Sequence, residues 1–174
     1  MLPDPLHPAI VHFPVVLAIL VPLAALAALV VASRRGPVRA AWMTVVALAV
    51  LLAGSTWLAL ETGEQEEETV ESVLASEAPL SRHEDRADQF MAVAVAVLGL
   101  ALLGLAPGRA GTAGRALATV ASLVLVPAGI RVGHSGGELV YRHGAAQAYS
   151  TGSAVARAAD NQGDRETDDH DRRR

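Results

Sequence analysis

Charge-free stretches govern what this chain can fold into. No Asp, Glu, Lys or Arg occurs between Asp4 and Arg34, between Arg39 and Glu61, or between Asp88 and Arg109. These gaps hold 29, 21 and 20 residues, and a fourth, of 15, lies between Arg115 and Arg131. A soluble amphipathic helix needs a polar face, and these stretches have none. About 20 apolar residues suffice to cross a hydrocarbon core as a helix. The chain therefore reads as an integral membrane protein with four spans. Its 174 residues make one domain.

The spans are expected near residues 8–32, 40–60, 89–106 and 112–132. Pro14 and Pro22 would kink the first, which membrane helices tolerate. Trp42 and Trp57 stand near the two ends of the second, about 22 Å apart at 1.5 Å per residue. That spacing suits one aromatic anchor at each interface. The third contains Ala92-Val93-Ala94-Val95-Ala96-Val97. It alternates like a strand but is apolar on both faces, so a helix in lipid is expected. The fourth is the weakest and is followed by Gly133-His134-Ser135-Gly136-Gly137. These glycines suggest a hinge before a short interfacial helix that includes Leu139 and His143.

Small residues four apart, as in Ala24/Ala28, Ala49/Ala53 and Ala92/Ala96, supply ridges for close helix packing in lipid. The expected fold is all-α: two transmembrane hairpins packed as a four-helix bundle, residues 1–149, with that interfacial helix on the outer side. Residues 150–174 are Asp, Arg, Gly and Ala with no apolar period, and read as a disordered polar tail.

Arginine sets the topology. The turns Ser33–Arg39 and Pro107–Arg115 carry Arg34, Arg35, Arg39, Arg109 and Arg115. The first eight residues carry no basic side chain, so the opening segment is expected to be a retained span and not a signal peptide. Between Glu61 and Asp88 ten acids face only Arg82 and Arg86. The positive-inside rule places the arginine turns in the cytoplasm. Both termini and the acidic segment then lie outside the cytoplasmic membrane. Ten acids cannot be buried unpaired, so the segment is expected to be a surface loop. Neutralising Glu66, Glu67 and Glu68 should then leave folding intact.

Cysteine and lysine are both absent. There is no disulfide, no thiolate metal site and no covalently attached c-type haem. The exclusive use of Arg, with abundant Ala, Val and Leu, fits a GC-rich bacterial genome. Nothing in the chain points to nucleic acid.

Histidine is the remaining source of chemistry. His170 lies in the tail. His7 and His12 flank the start of the first span, His83 precedes the third, and His134 and His143 follow the fourth. All five fall on the outward side. His12 sits inside the apolar run, where a polar side chain is expected to face the bundle. His7 and His12 are about 140° apart on a regular helix, so both cannot point at one ligand. His12, as the deeper, is taken as the ligand. The His83-Glu84 pair lacks the second histidine of a zinc-protease motif, because position 87 is Ala. Glu84, Asp85 and Asp88 also suit the positive end of a helix dipole.

The segment Leu6-His7-Pro8-Ala9-Ile10-Val11-His12-Phe13-Pro14 resembles the opening motif of a bacterial family of small four-span membrane proteins of unknown function. Gly136-Gly137-Glu138-Leu139-Val140-Tyr141-Arg142-His143-Gly144 looks like its closing motif. The resemblance spans Leu6 to Gly144, whereas the Glu-rich Glu64–Glu71 and the tail lie outside its pattern. Members fused to Rieske-type or c-type cytochrome domains imply a neighbourhood of membrane electron transfer, with other such proteins as partners. The resemblance implies no activity and no catalytic residue.

Two readings compete. In the first, the chain is a redox module: His12, His83 and His134 converge to ligate a b-type haem, and Arg131 pairs with a propionate, with Glu84 or Glu61 as its counter-charge. Alternatively, His7, His12, His83, His134, His143 and Glu84 supply the ligands of a zinc or copper ion. In the second, the chain is a non-catalytic membrane subunit that docks a partner through its acidic segment. A proton-relaying transporter is less favoured, because no carboxylate lies mid-span.

Overall fold

The computed structural model describes residues 6–149; the tail and His170 lie outside the described residues. Among the described residues there are six helices and no strand: α1 (His7–Ile10), α2 (His12–Ser33), α3 (Val38–Glu71), α4 (Ala78–Leu103), α5 (Gly108–Ser122) and α6 (Leu125–Tyr141). Taken as the continuous segments His7–Ser33, Val38–Glu71, Ala78–Leu103 and Gly108–Tyr141, they make four helices long and apolar enough to cross a bilayer. α2 packs on α3, α3 on α4, and α4 on both α5 and α6; α2 closes the bundle against α5 and α6.

Proline decides where the long segments step. Pro8 and Pro14 fall in the first turns of α1 and α2, where a missing N–H costs nothing, and the chain steps at Val11 between them. Among the described residues, only Pro22 sits inside a helix beyond its first turn. Pro127 falls in the first turn of α6, which begins after a step at Leu123–Val124. The expected glycine hinge is therefore absent. α6 runs unbroken through Gly133, Gly136 and Gly137 to Tyr141, and the interruption lies upstream at the proline.

The acidic segment is also different from the expected loop. α3 continues helically to Glu71, and α4 starts again at Ala78. At 1.5 Å per residue the 34 residues of α3 span about 51 Å, well beyond a core of about 30 Å. Glu and Gln are good helix formers, so the acidic turns extend the helix past the apolar part.

Three packed layers fill the bundle. At the arginine end, Ala25, Ala28, Trp42, Val45, Ala49, Ala101 and Ala118 pack together. The middle layer contains Leu17, Val21, Leu52, Phe90, Ala94, Val97 and Leu125. At the acidic end Leu80, Leu139 and Ala145 form a small cap. Ala28, Ala49 and Ala53 are buried as the small-residue ridges predict. Ala92 and Ala96 instead face outward, and Ala94 and Ala101 take their place. Trp57, 54% exposed, has the position of an interfacial anchor. Trp42 does not: it is fully buried and donates its indole N–H to the Ala101 carbonyl at 2.8 Å. Large apolar side chains such as Phe13, Ile19, Leu51, Leu117 and Ile130 cover the outside, as a lipid-facing surface requires.

Candidate imidazole site at the acidic end

Between the middle layer and the cap, the inward faces of three helices turn polar. Along α4 the face runs from Phe90 through His83 to Leu80. Along α3 it runs from Leu52 through Thr56, Ala59 and Thr62 to Val70. Along α6 it runs from Val132 through Ser135 to Leu139. The polar positions thus form one level, with dry packing on either side.

His7 enters this level from α1. Its Nδ1 lies 2.8 Å from the Ala59 carbonyl and 3.3 Å from the Thr62 hydroxyl. A carbonyl only accepts, so Nδ1 carries a proton, and Nε2 takes no part in these two contacts. Thr62 is consistent with this, since its hydroxyl already donates to the carbonyls of Leu58 and Ala59. The ring lies against Gly63, where a Cβ would stand 3.3 Å from His7 Cε1. The Glu66 carboxylate fixes the helix start by accepting the His7 backbone N–H at 3.1 Å. The same carboxylate accepts the Tyr149 hydroxyl. The half-buried Glu66 is therefore a structural group, which revises the expectation that it could be neutralised freely.

His83 repeats the pattern from α4. Its Nδ1 lies 3.0 Å from the buried Ser135 hydroxyl. That hydroxyl donates back to Arg131 and Val132 carbonyls at 3.1 and 2.9 Å. Ser135 therefore accepts from His83 Nδ1, which in the neutral ring leaves the lone pair on Nε2. Gly136 takes the role of Gly63: a Cβ there would stand 3.2 Å from His83 Cε1. His83 lies six residues before the charge-free part of α4, outside the apolar span. Burial holds its imidazole below the usual histidine pKa. The neighbouring His7 and Arg86 push it the same way, against a backbone hydrogen bond at Val132. The ring is neutral near pH 7, the form that ligates a metal.

Of the three histidines expected to converge, only His83 faces this level. His12 is exposed, on the outward side of α2 shared with Val16, Ile19 and Leu23. His7 turns inward instead: the two histidines lie on separate helices either side of Val11, and the inward member of the pair is His7. His134 is 68% exposed at its side chain and lies 3.7 Å from Glu138, which also pairs with Arg142 at 2.9 Å. His143 is exposed. Arg131 is exposed too, and among the described residues it forms no ion pair with Glu61 or Glu84. Glu84 is half-buried, and its carboxyl is held above the ordinary value by burial, then by Glu67 and Glu71 of α3 and by Asp85 and Asp88. Among the described residues no group of three or more His, Asp or Glu is placed to hold a metal ion.

Thr62, Gly63, Glu66, Arg86 and Ser135 belong to the site and carry no motif of their own. The usable signal was the alternation of small and polar residues along the inward stripe of α3, Thr56, Ala59, Thr62, Gly63, which becomes visible once α3 is drawn past residue 60. Residues 3–148 match the model of a family described as a predicted membrane protein, DUF2231. No curated protein and no solved structure matches the chain.

Proposed function

Because the chain belongs to the DUF2231 family of predicted membrane proteins, we propose a function set within a bilayer: a module that binds a b-type haem through the Nε2 atoms of His7 and His83. The observation that carries this reading is that two neighbouring rings are each anchored through Nδ1. Each Nδ1 has an oxygen within hydrogen-bond distance and each ring rests on a glycine, which leaves each Nε2 outside those contacts. Holding Nδ1–H in this way is the usual means of fixing a ligand histidine. Two imidazoles suffice for a haem, whereas zinc normally takes three or four protein ligands. Arg86, half-buried beside His83, replaces Arg131 as the cation for a propionate. The chemistry such a group supplies is one-electron transfer. By the arginine count the site lies on the extracytoplasmic side of a bacterial cytoplasmic membrane.

The test is the visible spectrum of detergent-purified full chain from haem-replete cells, oxidised and then reduced with dithionite. A haem band lost in both His7→Ala and His83→Ala, but retained in His12→Ala, supports the proposal. Protein without a haem band, or a band untouched by either substitution, overturns it. A scaffold role then stands in its place, favoured by the exposed Glu64, Glu68 and Glu71 on the extension of α3.

A further inference from the structure

The opposite end of the bundle holds a cavity of about 470 Å³, between the last turn of α2, the first turns of α3 and α5, and the linker after α4. Its polar wall is Arg39, Thr112 and Arg115, and its apolar wall includes Leu29, Leu105 and Ala116. The Arg115 guanidinium is held in place: one nitrogen donates to the Gly104 carbonyl at 2.7 Å, another to the Thr112 hydroxyl at 3.4 Å. No Asp or Glu occurs from residue 5 to 60 or from 89 to 137. Accordingly neither Arg39 nor Arg115 has an ion-pair partner among the described residues. α3 and α5 both begin here, after Pro37 and Pro107, without a side-chain cap. Apart from Val38 N–H, which donates to the Gly36 carbonyl, their first-turn N–H groups add to the two guanidiniums as donors for an anion.

We propose that this cavity binds the headgroup of an anionic phospholipid, its phosphate between Arg39 and Arg115 and its acyl chains along Leu29, Leu105 and Ala116. The donor set would serve any phosphate. The apolar wall decides for lipid, because a free ion leaves Leu29 and Leu105 facing water, whereas acyl chains cover them. Basic pockets between membrane helices commonly take anionic lipid headgroups in this way.

The test uses full-length protein extracted from vesicles of phosphatidylglycerol and phosphatidylcholine, with retained lipid counted by native mass spectrometry. Retention of one phosphatidylglycerol in preference to phosphatidylcholine is expected. Arg39→Gln, at an exposed position with no ion pair among the described residues, should lower retention about fivefold. Arg34→Gln, at the same end but outside the cavity lining, should leave it unchanged. Equal retention of the two lipids, or equal loss in the two variants, overturns the proposal. A parallel arm adds inorganic phosphate to lipid-depleted protein and follows thermal stability. Protection by millimolar phosphate equal to that by phosphatidylglycerol would assign the cavity to a free anion and overturn the lipid assignment.

Discussion

The indole nitrogen of Trp42 occupies the space where any Cβ at residue 104 would stand, so Gly104 is the reason Trp42 can be buried. Gly114 shares the crowding, since its own Cβ would approach the Gly104 nitrogen to 2.6 Å. Gly104→Ala should therefore overpack the arginine end and cost about 1–3 kcal/mol. Gly99 has open space around it, and Gly99→Ala should be neutral or stabilising by up to about 1 kcal/mol. Thermal unfolding in detergent separates the two; equal midpoints would mean that the slot for Trp42 is loose.

Glu66 should stand apart from its acidic neighbours. Its carboxylate holds the first N–H of α1 and the Tyr149 hydroxyl. Loss of such a cap in Glu66→Ala should cost about 1 kcal/mol, with Glu66→Gln milder because its amide oxygen still accepts. Glu68→Gln, on an exposed position, should be silent. The check is the same melt, together with proteolysis ahead of His7.

The lowered His83 pKa makes stability depend on pH. The unfolded chain takes up a proton at about the ordinary value of 6.5, while folded His83 resists it. Between those two values the unfolded state binds more protons, so stability falls as pH drops below 6.5. Glu84 acts oppositely and lower down, because a raised carboxyl pKa favours the folded state as it protonates. The difference between wild-type and His83→Gln melting curves isolates the histidine. It should be flat above pH 7 and slope below 6.5; a slope that persists unchanged in the variant would assign the effect to another group.

Reporter fusions test the orientation. Phosphatase fused in the turn at Ser76 should be active, and at Arg35 inactive, since five arginines occupy the other two turns. The reverse pattern would place the His7 and His83 level in the cytoplasm.

Four spans could be read from the chain because lipid imposes one dominant rule, the absence of charge over about 20 residues. What escaped that rule was decided by neighbours distant in sequence. Trp42 and Trp57 look alike from spacing alone, and only the packing of Gly104 separates the buried one from the exposed one. His12 looks the deeper of its pair along the chain. The step at Val11, and the hold of Glu66 on α1, turn His7 inward instead. The acidic segment repels itself as charge, yet six of the eight residues from Glu64 to Glu71 are Glu or Gln, and their helical preference prevails. His83 was legible because it lies beside the charged start of α4. Its partner Ser135 lay inside a glycine cluster whose ability to let another group approach closely proved more important than its capacity to bend.

The polar level is built from the two extremes of the bundle. His7 comes first from the ribosome, its carbonyl partner Ala59 follows 52 residues later, and Ser135 trails His83 by another 52. Three spans can enter the membrane before the serine that fixes the His83 tautomer has been synthesised. A nascent chain halted after α4 would carry both imidazoles but only one of them correctly presented. The level is complete, with both Nδ1 atoms partnered, only once Ser135 in α6 has been made.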